Sequence, residues 1–393
     1  MKNSKVLSSE YATFRSEIQD YFKDRLLKKP SVILDPMAGT APLIPFIETN
    51  GHTAYLNDIL PLHFFINKAK TYQVFQHYQQ CGYDWFFQQL LCCITPLEGK
   101  VLCMSDKWID DSILSGLIQA WHATEHYDKN SATLLKALIL LCVHPFSSTT
   151  RSKNPTWVKY GGVSSSKDLK EIIGESLTRF EEYYHHHYVS SHLKREGKCI
   201  ITNQNAAELD LLHKVDFILT SPPYCNRIDP IVQYGPENYF LSALGYTIPE
   251  EGLVSTPKVR DYDRLNLDFE CLTTKSEYAC HLLTHIKNSK IEDDPTYYLK
   301  YYTRYFAMLF QVIDKVLSNL SPIGRMYIIT QDNIHRGQLI EIDKVLRELL
   351  GAKGWRSRLI KKWERHHMGL RNVSRQYAFV KPKHWEKLMV IWR

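Results

Sequence analysis

The residues best suited to chemistry stand at the ends of predicted strands. Thr220-Ser221-Pro222-Pro223-Tyr224 follows an apolar run, Asp216 to Thr220, that reads as a strand. The two prolines hold the backbone extended and remove its N–H donors. The carbonyls and the Ser221 hydroxyl are then left to accept hydrogen bonds from an amino group, and Tyr224 offers a flat face for stacking a planar base. Ser-Pro-Pro is also a common turn string, so its position carries the weight. Open α/β sheets bind their ligands at the carboxyl ends of their strands.

A second pattern lies near the amino end. The run Ser31 to Leu34 reads as a strand that stops at Asp35-Pro36, and Met37-Ala38-Gly39-Thr40 leads from it toward a helix starting near Pro42. Gly39 permits a positive φ or a close ligand approach. Amides at the helix start, together with Asp35, can grip the two ends of an amino-acid moiety. Asn57-Asp58 closes the next predicted strand, Thr53 to Asn57, and an acid there suits ribose hydroxyls.

The elements around these patterns alternate as a parallel α/β sheet requires. Residues 10–27 have apolar side chains at helical spacing, and 61–146 read as mostly helical. Residues 147–167 form a Ser/Thr/Gly loop, and 168–194 return to helix. Strands are expected at Cys199 to Thr202, Met326 to Thr330, Arg358 to Trp363 and Leu388 to Trp392. An aromatic-rich helix fills 296–319, where packing explains the tyrosines, and a further helix spans Gln338 to Leu350. The stretch 236–294, with its Pro, Gly and mixed charge, reads as irregular. We therefore expect a discontinuous catalytic domain at 1–60, 197–235 and 295–393, interrupted by a helical insertion at 61–196 and an irregular one at 236–294.

Taken together, DPMAGTAP and TSPPY in these strand contexts resemble the motifs of the S-adenosylmethionine-dependent DNA amino-methyltransferases. The resemblance implies a doubly wound, mostly parallel, Rossmann-like methyltransferase sheet. It implies that Asp35, Pro36, Ala38, Gly39 and Thr40 hold the methionine part of the cofactor. Asp58 matches the ribose acid, Asn205 and Ala206 the adenine-contacting segment, and Phe14 the leading cofactor segment. Ser221, Pro222, Pro223 and Tyr224 match the segment that holds the target amino group. The Ser-led motif resembles cytosine-N4 enzymes more than adenine-N6 enzymes. Ser221 and the Pro222 carbonyl would orient the amine toward the sulfonium methyl, so that line-up does most of the catalysis. The base would be flipped from the duplex onto Tyr224. Cys225 reads as a packing residue. The chain departs from the family at Ala41, where a second glycine is usual, at Pro42, and at Asn205, where an acid is usual. Adenine-N6 methylation, methylation of an RNA base, and a decayed DNA-binding copy stay open as alternatives.

The distribution of charge says more than its sum. The net charge is +7 with histidine neutral. Between Lys353 and Arg375, basic side chains including Lys361, Lys362, Arg365 and Arg371 interleave with Trp355, Trp363, His366 and His367. Such a stripe suits a phosphate backbone, and a solvated strand face would have the same composition. Arg151, Lys153 and Lys159 in the 147–167 loop, and Arg227 after the motif, are further candidates for contact with double-stranded DNA. A cognate restriction endonuclease acting on the same site would be a natural partner for such an enzyme. His185, His186 and His187 face different ways on a helix, so no metal is expected. With 393 residues, 44% hydrophobic and 23% charged, the chain has the composition of a folded protein. Its nine cysteines form no C-x-x-C pair, and no apolar run reaches the roughly 18 residues of a membrane span. Without a secretory leader in the sequence, a reducing cytoplasm is the expected location.

Overall fold

The computed structural model describes residues 21–22, 28–94, 97, 108–151, 158–160, 168–189, 197–226, 228–249, 252–256, 272, 274–288, 295–335, 338–365 and 384–393. The fold is α/β. Its main strands are β1 (Val32–Asp35), β2 (Thr53–Asn57), β5 (Lys198–Thr202), β6 (Val215–Thr220), β7 (Leu320–Gln331), β10 (Arg356–Arg365) and β11 (His384–Trp392). They form one seven-stranded sheet in the order β10-β11-β7-β6-β1-β2-β5. The pairs β1–β6, β6–β7 and β2–β5 are parallel, whereas β7–β11 and β10–β11 are antiparallel. The sheet is therefore mostly parallel and Rossmann-like. Its central strands are short apolar runs, as parallel strands covered on both faces tend to be.

The chain divides into two compact units. The first comprises 1–31, 38–203 and 230–249. It holds β2, β5 and a helical body made of α1 (Ile44–Thr49), α2 (Pro61–Ala69), α3 (Tyr72–Cys81), α4 (Tyr83–Ile94), α5 (Asp111–Ala123), α6 (Lys129–Val143), α7 (Leu169–Tyr184), α8 (Pro230–Gln233) and α9 (Gly235–Ala243). The helices start where side chains satisfy their first amides. Asp110 and Asp128 accept from amides of the first turns of α5 and α6, and Asp168 with Glu171 forms a capping box on α7. Helix α6 is buried almost all round, with Leu134, Leu135 and the whole run Ala137 to Val143 in the core.

The second unit comprises 32–37, 204–229 and 250–393. It holds β1, β6, β7, β10 and β11 with α10 (Glu277–Lys287), α11 (Pro295–Leu317) and α12 (Ile342–Gly351). Tyr301, Tyr302, Tyr305, Phe306, Leu309, Val312, Ile313 and Val316 give α11 its buried stripe.

Three local expectations are corrected. Residues 147–167 are not all loop, because β3 (Thr149–Arg151) and β4 (Val158–Tyr160) pair antiparallel. The segment Gln338 to Ile340 is a strand, β9, paired with β8 (Asn333–His335), and helix begins only at Ile342. Cross-strand pairing there overrides apolar spacing that also fits a helix. The stretch 236–294 contains helical segments. Pro236 lies in the first turn of α9, where proline is tolerated, and Ser276 caps α10 by accepting from Ala279 N–H. Of the helix expected over 10–27, only Tyr21 and Phe22 fall within the described residues, and both are helical. Among the described residues, no helix is long and apolar enough to cross a membrane.

Candidate active site

Two of the sequence patterns meet at the carboxyl ends of β1 and β6. These strands are parallel neighbours, with Ile33 opposite Phe217 and Leu34 opposite Ile218. In the order of the sheet, β1 is followed by β2 and β5 on one side and by β6 and β7 on the other, so the strand order switches direction at this pair. That is the switch point where open α/β sheets form a ligand crevice. Asp35 is buried, with 2% of its surface exposed. Its Oδ1 accepts from the Thr220 hydroxyl at 2.9 Å and from Met37 N–H at 3.3 Å. The end of one motif thus holds the start of the other, although 185 positions separate them.

The motif loop itself is tethered from outside. Tyr305 on α11 donates to the Pro223 carbonyl at 3.0 Å, and Tyr224 donates to Oε1 of Glu386 on β11 at 2.8 Å. The Asn333 side chain donates to the Cys225 carbonyl. Cys225 is buried with its sulfur 3.8 Å from the Tyr301 hydroxyl, which fits a packing role. Among the described residues nothing donates to Ser221 Oγ or to the Pro222 carbonyl, the two acceptors that the amine chemistry calls for. Pro222 is buried, whereas Ser221, Pro223 and Tyr224 are half-buried. Asn205 caps the short 3-10 turn Ala206–Glu208. Its Oδ1 accepts from Ala207 N–H at 3.1 Å and its Nδ2 donates to Glu208 at 3.0 Å. The oxygen expected to meet an adenine amino group therefore already serves the backbone, with one lone pair left. Ala206 is buried beside it in sequence.

The turn that continues from Asp35-Pro36-Met37 is closed by its own neighbourhood in the first unit. Ala38 N–H donates to the Asn57 carbonyl, and Gly39 N–H donates to Asp58 Oδ2, both at 2.8 Å. Asn67 donates to the Gly39 carbonyl at 2.8 Å, and the Lys70 ammonium donates to the Thr40 carbonyl. Gly39 has φ +54° with nothing within 4 Å of an added Cβ. Ala41, buried, has φ +43°, the one non-glycine residue with positive φ among the described residues. The turn thus keeps a left-handed geometry at the position where glycine was expected, at a cost of about 1–2 kcal/mol.

Asp58, the acid that the resemblance matches to a ribose, is engaged within the chain. Its Oδ2 holds Gly39, while its Oδ1 accepts from Leu60 N–H at 2.9 Å and lies 3.0 Å from His63 Nδ1. Burial alone would raise its pKa, but the neighbouring His63 imidazole, with the Leu60 and Gly39 amides, outweighs that and holds the carboxyl below its usual value. A hydroxyl would find one lone pair of Oδ2.

A buried polar floor lies beneath the same turn. Lys70 and Glu48 are each almost fully buried. Tyr188 donates to Glu48 Oε2 at 2.6 Å and to the Lys70 carbonyl at 2.8 Å, and Tyr72 N–H also reaches Glu48. Desolvation pushes the Lys70 ammonium down to about 7 and the Glu48 carboxyl up to about 7. Neither residue was picked out by sequence reasoning, because a lone Lys or Glu in a helix usually faces solvent.

The basic stripe is partly described. Lys361 and Lys362 are exposed on β10, an edge strand, where a bulge between Leu359 and Lys361 breaks the alternation. Lys361 lies 5.2 Å from the Trp363 ring centre and Lys362 lies 4.6 Å from that of Trp385. Arg151 and Lys159 lie on the β3–β4 hairpin, opposite Val158 and Thr150. Phe14, Lys153, Arg227 and Arg371 lie outside the described residues, as do the side chains of Arg151, Lys159 and Arg365. Three carboxylates with metal-like spacing, Asp332, Glu341 and Asp343, surround the Lys387 ammonium at 2.9, 2.9 and 2.8 Å, so a cation of the chain already neutralises them in part.

No protein-family model matches the chain, and no curated protein matches it.

Proposed function

We propose that the chain is a DNA amino-methyltransferase that takes its methyl group from S-adenosylmethionine and places it on the exocyclic amine of a flipped base, with cytosine N4 favoured by Ser221. It would act as the modification enzyme of a restriction-modification system. The observation that carries this reading is the Asp35–Thr220 hydrogen bond, which joins the two motif segments at the switch point of the sheet.

The residues suit the cofactor. The left-handed turn at Gly39 leaves open space beside its Cα, and Asp35 is a buried carboxylate suited to an ammonium group. Asp35 to Thr40 would hold the methionine end and Asp58 a ribose hydroxyl. When bound, the cofactor supplies an electrophilic sulfonium methyl. The chain's own work is orientation. Ser221 Oγ and the Pro222 carbonyl accept the two amine hydrogens, which turns the nitrogen lone pair toward the methyl, and Tyr224 stacks the base.

Calorimetry tests the cofactor half. The reading expects measurable affinity for S-adenosylmethionine that falls at least tenfold in Asp35→Ala. Equal binding by the variant, or none by the wild type, would contradict it.

A further inference from the structure

We infer that Glu386 is a positioning residue for Tyr224, and through that ring for the base the motif holds; this rests on the methyltransferase reading. Glu386 is fully buried, and its Oε1 accepts the Tyr224 hydroxyl at 2.8 Å. A buried carboxylate is costly unless it is hydrogen-bonded, so its burial at the start of β11 needs a reason.

The strand around it is locked in rotation as well as in register. Neighbouring residues of a strand point to opposite faces. On the face opposite Glu386, Lys387 is pinned by Asp332, Glu341 and Asp343, which come from the end of β7 and the start of α12. Asp332 N–H donates to the Trp385 carbonyl at 2.8 Å, and Trp385 N–H returns to Asp332 at 3.3 Å. Glu386 itself is in register with Gln331 of β7 and Trp363 of β10. The carboxylate that meets Tyr224 therefore sits on a strand clamped on its other side and paired on both edges. Tyr305, which holds the Pro223 carbonyl, fixes the backbone just ahead of the ring. Ring and backbone of Tyr224 are anchored independently, which is what precise line-up of a stacked base demands.

The test is a double-mutant cycle on the full chain, with turnover of tritiated S-adenosylmethionine on unmethylated bacterial genomic DNA. Tyr224→Phe keeps the ring and loses the bond. Glu386→Leu removes the acceptor, whereas Glu386→Gln keeps an oxygen that can accept it. Tyr224→Phe and Glu386→Leu should each lower kcat about 10- to 100-fold with KM for the cofactor unchanged, and the double variant should lose no more than the worse single one. Glu386→Gln should keep kcat within about threefold of wild type. Should Glu386→Leu not fold, a Tyr224→Phe variant with wild-type kcat, or a Glu386→Gln variant that loses about 10-fold or more, would overturn the positioning role. Active wild type with additive losses, or with Glu386→Gln as poor as Glu386→Leu, would overturn the positioning role alone. No methyl transfer by the wild type to DNA or RNA would overturn the methyltransferase reading and this inference with it.

Discussion

The two turns that carry the candidate chemistry are held in opposite ways. The turn through Gly39 and Thr40 is closed from nearby in sequence. Asp58, Asn67 and Lys70 all lie within 30 positions of the residues they bind. The loop Ser221–Tyr224 is held from afar, by Tyr305 at a separation of 82 and Glu386 at 162. The first turn is strained at Ala41 and sits on a buried polar floor, while the second relies on proline stiffness and on two remote hydroxyl bonds. The motif residues of both can be read from the sequence, whereas the side chains that hold either turn emerge only from the packed structure.

If that contrast is right, the largest effect should come where the two motif segments touch. Asp35→Ala should lower methyl transfer by about 100-fold or more, because it removes both the proposed ammonium partner and the anchor of Thr220. Thr220→Val should fall between that variant and the wild type, and initial rates with tritiated cofactor will rank them.

The next effect belongs to the floor of the first turn. Glu48 has its pKa raised from 4.5 to about 7 by burial, against the opposing bonds from Tyr188 and Tyr72. Between these values the folded state binds more protons than the unfolded one, so this group makes stability fall as pH rises from about 4.5 to 7. Glu48→Gln should remove that loss, raising stability at pH 8 by up to about 3 kcal/mol and changing little at pH 4. Lys70, pushed down to about 7, works the other way, with stability rising from pH 7 toward its ordinary value. Urea melts across pH will show whether the gain in Glu48→Gln appears only on the alkaline side, and a gain independent of pH would contradict the assignment.

Lys361→Glu and Lys362→Glu probe a surface that neither turn needs. Each should weaken DNA binding evenly across sequences and lower the salt slope by about 1, as fluorescence anisotropy at several salt concentrations would show. The smallest effect is expected from Ala41→Gly. Relief of the left-handed strain, less the entropy cost of glycine, should stabilise the chain by about 0.5–1 kcal/mol. A destabilised Ala41→Gly would show that the Cβ packs usefully.

How far the sequence reveals this arrangement follows the same contrast. Strands β1 and β6 were legible because short apolar runs ending in Asp-Pro or Ser-Pro-Pro have little alternative, and Thr53 to Asn57 matches residue for residue, whereas β7 begins at Leu320, six residues before the expected start. The segment Gln338 to Ile340 was not, since its apolar spacing fits helix and strand equally and only pairing with β8 decides. At the site, Asp35, Gly39, Asp58 and Ser221 announced themselves by motif. Thr220 as a partner for Asp35, Tyr305 among packing tyrosines, and Glu386 did not, because their roles arise from contacts across more than 80 positions. The Glu386-Lys387 pair ahead of the apolar run Leu388 to Trp392 was the one available hint.

The most direct test of the central claim is the identity of the methylated nucleoside. Purified protein would be incubated with tritiated S-adenosylmethionine and unmethylated genomic DNA, with RNA in parallel, and the digested nucleosides separated. The account predicts label in N4-methylcytosine from DNA and its loss in Ser221→Ala. Label in N6-methyladenine would keep the chemistry and overturn the choice of base, and label in RNA alone would overturn the substrate. No label in either nucleic acid would contradict the account.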